Sequence, residues 1–331
     1  MKILILSETQ VAELMPMPAC IEVMREALSA LARGAYHQPL RRMMRPPNAP
    51  GLLGLMPAYR AGEGGKPGAF GLKAVGVFAG NPAIGLDSHQ GAVLLFSGTT
   101  GEPMAVMSGS AITAIRTAAV SGVATALLAR EDAGDLAILG AGVQARTHLD
   151  AMVSVRKIRR VRVASRSLAH AQRFAEESAA KHGVPVLAVA SAEEAVRGAD
   201  IVVTVTSASE PIVSRAWIAD GAHLNVVGSS FPKAREVDTA TMAASRLFVD
   251  WRESTLNEAG DYLFAAAEGA VGPDHIRAEL GEILAGKAKG RTGPTEITLF
   301  KSLGIATEDL ASAEYLYRVA KERGVGSWAE L

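Results

Sequence analysis

Apolar positions set the first divisions of the chain. Val11, Leu14, Ile21, Met24, Leu28 and Leu31 recur at helical spacing, so residues 7–34 read as a helical region that Gly34 could close. From 36 to 98 seven prolines (Pro39, Pro46, Pro47, Pro50, Pro57, Pro67 and Pro82) break any long helix. The apolar runs 52–57, 70–78 and 92–96 read there as strands. Residues 110–130 form a helix rich in Ala, Leu and Ile, with Ser110 placed as its N-cap.

Beyond residue 135 short apolar strands alternate with helical stretches. Strands are expected at 136–139, 161–164, 184–189, 201–206, 223–227 and 247–249. Helices are expected from about 143 to 155 and at 168–182 and 191–198. That alternation predicts βαβ units and a parallel sheet. Residues 274–286 and 307–323 read as late helices, and the last is expected to return to the first third of the chain.

Composition narrows the classes. The 331 residues suggest about two domains and need no stapling. Thirty-four Lys+Arg balance thirty-four Asp+Glu without a long run of one sign, which argues against nucleic acid or an anionic membrane surface as partner. One cysteine, Cys20, cannot form an internal disulfide, which favours a reducing cytoplasm, and its helical setting favours the core. The opening MKILIL is too short for a signal-peptide core, and no apolar stretch is expected to reach membrane-span length.

The strongest chemical signal is Gly140-Ala141-Gly142-Val143-Gln144-Ala145, a G-x-G-x-x-A pattern between a four-residue apolar strand and a helix. Gly140 allows the tight turn, Gly142 a close approach of pyrophosphate, and Ala145 close helix–strand packing. The helix start offers free N–H groups to the anion. An acid that would bind a ribose 2′-hydroxyl is absent from the second strand's end, which reads Ser165-Arg166-Ser167. This favours NADP(H) and leaves NAD(H) possible. The fold class is therefore α/β, with a Rossmann-type dinucleotide-binding domain.

Other candidates are open on the residues alone. Arg116 shares a helix face with Val120, Val123 and Leu127, so it needs an anion: a ligand's, or a protein acid's. Lys73, in an apolar strand-like run, belongs either at an exposed edge or aimed into a site, and the run alone favours the edge. Arg41, Arg42 and Arg45 read as a solvated basic loop. No His/Cys spacing suggests a metal, and no G-x-S-x-G elbow is present.

Several segments, in order, resemble the ornithine cyclodeaminase/mu-crystallin family. They are QPLRR at 38–42, GLMPAY at 54–59, the run 71–96, ITAIRTAAVSGVA at 112–124, ILGAGVQARTHL at 138–149, ADIVVTVTS at 199–207, HLNVVGSS at 223–230 and the run 298–313. The resemblance implies a homodimer whose subunit joins a Rossmann domain, 120–305, to a discontinuous α+β substrate and dimerisation domain, 1–119 with 306–331. It implies that Arg41, Lys73 and Arg116 hold a substrate carboxylate, with Lys73 and Arg116 catalytic. Thr117, Thr206, Ser207, Val227 and Ser229 would line the cofactor, and Lys301 and Gly304 would approach it from the late helix.

Two positions depart from the cyclodeaminases of that family. Gly54 stands where they carry glutamate, and Ser230 where they carry aspartate. Ornithine cyclodeamination involves proton traffic that wants carboxylates. The chain thus resembles the branch that reduces cyclic ketimines, and its expected partner is a small imino or amino acid, with Ser230 beside it. Δ1-Pyrroline-2-carboxylate and Δ1-piperideine-2-carboxylate are the candidate substrates. The alternatives are an alanine-type dehydrogenase, an ornithine cyclodeaminase, and a crystallin-like protein that binds NADPH without turnover.

Overall fold

The computed structural model describes residues 2–65 and 67–330. It divides into two compact units, 2–116 with 304–330 and 117–303, among the described residues. The first unit opens with β1 (Lys2–Leu6), α1 (Glu8–Leu14) and α2 (Met17–Ala32). The single helical region expected over 7–34 is thus two helices. Ser7 caps α1 in a capping box with Gln10, and Pro16, without an N–H, starts α2. Val11 and Leu14 face the core from α1; Cys20, Ile21, Met24 and Leu28 do so from α2.

The strands β2 (Tyr36–His37), β3 (Arg42–Met44), β4 (Leu52–Arg60), β5 (Ala69–Val77), β6 (His89–Ser97) and β7 (Pro103–Ser108) follow. The helix α3 (Gly109–Leu128) starts one residue before the expected cap. Ser110 is not that cap: its hydroxyl donates to the His89 carbonyl, while the Ser108 hydroxyl accepts from the Ala111 N–H. By length and hydropathy α3 could cross a membrane, contrary to the expectation that no stretch would, but it is mostly buried inside the protein and carries Arg116. The unit boundary falls between Arg116 and Thr117.

In the second unit β8 (Asp135–Leu139), α4 (Val143–Val155), β9 (Arg160–Ala164), α5 (Leu168–His182), β10 (Val186–Ala188), α6 (Ala192–Val196), β11 (Ile201–Thr204) and β12 (His223–Val226) alternate as expected. Next come α7 (Thr239–Ala244), β13 (Arg246–Val249), α8 (Arg252–Glu258), α9 (Gly260–Ala267), β14 (Ile276–Glu279), α10 (Leu280–Leu284) and β15 (Thr298–Lys301). The helix expected at 274–286 is therefore a 3-10 turn, a strand and one short helix. The reason is tertiary: Ile276 and Ala278 alternate into the core as β14 pairs with β13.

The sheet order is β10-β9-β8-β11-β12-β15-β13-β14, and every neighbouring pair is parallel. Strand order reverses between β8 and β11, the place where doubly wound folds open a crevice at the strands' carboxyl ends. Leu139, Val202, Leu224, Leu247 and Leu299 fill one core beside this sheet.

The chain then returns to the first unit as α11 (Ala306–Arg323) and β16 (Ser327–Glu330). The first unit's sheet runs β16-β1-β7-β6-β5-β4-β2, with β3 also on β4. Helix α11 packs across β4, β5 and β6. Strand residues alternate accordingly, so Ala69, Gly71 and Lys73 of β5 are covered while Phe70 is exposed.

Candidate functional site

In the first unit the three expected carboxylate binders converge. Lys73 is only 3% exposed on a strand flanked by β4 and β6, so the edge reading is corrected. Its ammonium lies 2.8 Å from Asp309 Oδ2 and 3.1 Å from Oδ1. Arg116, 4% exposed, donates from Nη1 to Glu308 Oε2 at 2.6 Å and from Nε to Asp309 Oδ1 at 3.1 Å. Arg41 donates from Nη2 to the Gly304 carbonyl at 3.2 Å and is half-buried. It is therefore part of the cluster and not a solvated loop residue.

Gly304 joins the two arginines and belongs to this unit. Its φ of +72° is left-handed, and a Cβ there would lie 2.3 Å from Arg116 Nη1. Two acids, Glu308 and Asp309, were not singled out from the sequence. They occupy the first turn of α11, where the helix dipole favours anions. That turn lacks a side-chain cap of its own. Gln38 instead accepts from both the Thr307 N–H and the Thr307 hydroxyl, at 2.8 and 2.9 Å.

Lys73 and Arg116 thus share Asp309, and Glu308 holds the other end of the Arg116 guanidinium. Burial, reinforced by Arg116, lowers the Lys73 pKa to about 8, with Asp309 opposing. Behind the cluster the buried Cys20 thiol is pushed up by desolvation, which keeps it protonated and inert. Gly54 lies on the same sheet face, where a Cβ would stand 3.1 Å from Met43 Sδ. A cleft of about 590 Å³ opens elsewhere in this unit, lined by Arg60, Ala69, Leu95, Glu102, Glu314 and Tyr317. None of the expected site residues lines it, and the Arg60 guanidinium is engaged by Glu314.

The second unit holds the other expected residues. Gly140 turns with φ +114°, and a Cβ there would be 2.8 Å from the Val205 carbonyl. Gly142 precedes α4 with no atom within 4 Å of where a Cβ would be. No side chain caps α4, Gly142 and Val143 are exposed, and Ala145 is fully buried. Ala141 and Gln144 flank this open helix start. A tight turn, open space and exposed helix N–H groups fit a dinucleotide pyrophosphate.

At the end of β9, Arg166 is exposed, and no described residue pairs with it. Ser165 accepts from the Ser167 N–H, and Ser167 caps α5 by accepting from the His170 N–H. At the ends of β11 and β12, Ser207 is exposed, Val227 and Ser229 are buried, and Ser230 is half-buried, while Thr117 is buried on α3. Thr206 donates from Oγ1 to Glu236.

Lys301 departs from expectation. It ends β15 and is not on the late helix, it is fully buried, and its ammonium is spent on Asp261 at 3.0 Å and the Ser229 carbonyl at 2.6 Å. Among the described residues no cluster of His, Cys, Asp and Glu could hold a metal.

Residues 1–324 match the ornithine cyclodeaminase/mu-crystallin family. The chain belongs to this family. It is 42% identical over 284 residues to the ketimine reductase mu-crystallin of Mus musculus, covering 86% of this chain and 85% of that protein. The solved Delta(1)-pyrroline-2-carboxylate reductase of Thermococcus litoralis, in complex with NADH and L-proline, is 42% identical. It superposes with a TM-score of 0.94 over 98% of this chain and 99% of that one. An archaeal alanine dehydrogenase dimer with bound NAD is 31% identical, with a TM-score of 0.93 and all of both chains covered.

Proposed function

We propose that this protein is an oxidoreductase that reduces the C=N bond of a small cyclic imino acid to an L-amino acid with a reduced nicotinamide dinucleotide. The observation that carries the reading is the convergence of buried Lys73 and Arg116 with half-buried Arg41 around Gly304 and Asp309, three cationic side chains that suit a substrate carboxylate. Similarity to a ketimine reductase and a Delta(1)-pyrroline-2-carboxylate reductase supports the reaction class. Δ1-Pyrroline-2-carboxylate and Δ1-piperideine-2-carboxylate are the substrates of choice.

The residues divide the work. Arg41 and Arg116 grip the carboxylate and orient the imine carbon, a positioning effect worth several kcal/mol of barrier. Lys73 holds the same carboxylate in its charged form. A bound nicotinamide supplies the hydride to the imine carbon. A ketimine that binds protonated on nitrogen needs no further acid; for a neutral one the proton comes from Lys73, whose pKa of about 8 suits the transfer, or from water at Ser230.

The 2′-phosphate of NADP(H) is assigned to Arg166 with Ser165 and Ser167, because that strand end offers a free guanidinium and no acid. A homodimer is assigned to the open face of the first unit's sheet. Ile5, Val106, Leu94, Leu72 and Pro57 form one cross-strand row there. Phe70 and Ile5, both exposed, lie on that face, and a second copy is the natural cover for it.

The archaeal alanine dehydrogenase similarity favours a second reading, oxidative deamination and its reverse. Ornithine cyclodeamination is disfavoured by Gly54 and Ser230, neither of which supplies a carboxylate to its proton traffic. The test is NADPH and NADH oxidation with five- and six-membered ketimines, each without ammonia, and with pyruvate plus ammonia. Imine reduction without ammonia, faster with NADPH, is expected; turnover only with ammonia would replace it by the dehydrogenase reading.

A further inference from the structure

Glu236 is fully buried between β12 and α7, and it faces two loops of the parallel sheet. Its Oε1 accepts from the Thr206 N–H at 2.8 Å and the Thr206 hydroxyl at 2.7 Å. Its Oε2 accepts from the Gly228 N–H at 2.7 Å and the Thr204 hydroxyl at 2.6 Å. One carboxylate therefore ties the loop after β11 to the loop after β12, with both oxygens filled. The fit is close: a Cβ on Gly228 would lie 2.5 Å from Glu236 Oε1 and 2.2 Å from the Thr206 carbonyl.

A second link extends the brace. Asp261 of α9 accepts from the N–H groups of Glu236 and Val237 at 2.7 and 3.1 Å. Its other oxygen holds Lys301 at 3.0 Å, and Lys301 donates to the Ser229 carbonyl at 2.6 Å. The ends of β11, β12 and β15 are thus joined by buried charge-assisted hydrogen bonds, which are strong and directional.

The fold says which part of a ligand this brace serves. In a doubly wound sheet the pyrophosphate sits at the first helix start, here α4, and the adenosine ribose at the second strand, here β9. The remaining half of the dinucleotide extends to the other side of the switch point, over the ends of β11 and β12. We propose that Glu236 is a positioning residue for the nicotinamide half of the cofactor. It acts through the loops at 204–208 and 227–230, and Lys301 assists it through Ser229 without touching the cofactor. The proposal rests on the dinucleotide reading above.

The test compares two probes by calorimetry: NADPH, and 2′-phospho-ADP-ribose, which has the adenosine half and pyrophosphate but no nicotinamide. Glu236→Gln replaces one accepting oxygen by an amide that cannot accept. It should weaken NADPH by about tenfold, the scale of a lost hydrogen bond to a charged group. Binding of 2′-phospho-ADP-ribose should stay within about twofold. Thr204→Val, which removes one hydroxyl donor, should show the same selective loss at about threefold and keeps the test available if Glu236→Gln does not fold. Equal weakening of both probes, or no weakening of NADPH, would overturn the proposal. Wild-type protein that binds neither probe, nor NADH, would overturn the dinucleotide reading itself, and the positioning role with it.

Discussion

Lys73, on the covered face of β5, faces Asp309 with Arg116 near enough to oppose its charge. Its pKa of about 8 against an ordinary 10.5 gives two effects with definite signs. Between those values the unfolded chain holds more protons, so this group's contribution to stability rises with pH across that interval; below it the cost of the buried charge is fully present. Ligand binding runs the other way, because the ammonium is lost above about pH 8. Affinity for an inert carboxylate inhibitor should fall above that pH in wild type and lose the transition in Lys73→Met, measured by calorimetry across pH.

The two arginines separate binding from folding. Arg41 is half-buried, so Arg41→Ala should raise KM for the imino acid by about 10- to 100-fold. Its denaturation midpoint should barely move. Arg116→Ala removes a buried guanidinium from between Glu308 and Asp309, leaves Asp309 to Lys73, and should lower unfolding stability by about 3–5 kcal/mol as well as raising KM. Urea titration beside steady-state kinetics checks both. Residue patterns alone left Arg116 open between a ligand and a protein acid, and the structure supplies the acids. They were not legible because Glu308 and Asp309 lie some 190 residues away in sequence and look like ordinary first-turn acids.

Among the elements, α11 carries the acids and depends on a distant residue for its start. Gln38 satisfies the Thr307 N–H where a local cap is missing. Gln38→Ala should cost about 1 kcal/mol in urea unfolding, as a lost cap does, and raise KM by loosening the turn that holds Glu308 and Asp309. No loss in either would show that the cap is incidental. The parallel sheet from β8 to β12 was readable because strand–helix alternation is a local pattern. The helix expected at 274–286 was misread because pairing with β13, a tertiary contact, overrides its local helical pattern. Lys301, expected from the family resemblance to approach the cofactor from the late helix, ends β15 instead, where Asp261 neutralises its buried ammonium.

For the whole molecule, the neutral total charge conceals the convergence of Arg41, Lys73 and Arg116, on which the proposed carboxylate site rests. The open sheet face predicts self-association. Leu94→Lys, at the middle of the apolar row, should convert a dimer to a monomer in light scattering; a wild-type monomer would refute the assignment. The central claim is imine reduction, and product analysis with Δ1-pyrroline-2-carboxylate and NADPH tests it most directly. The account predicts one L-proline formed for each NADPH oxidised, without added ammonia. No reduction of the imine, together with ammonia release from L-ornithine under catalytic NAD, would contradict it.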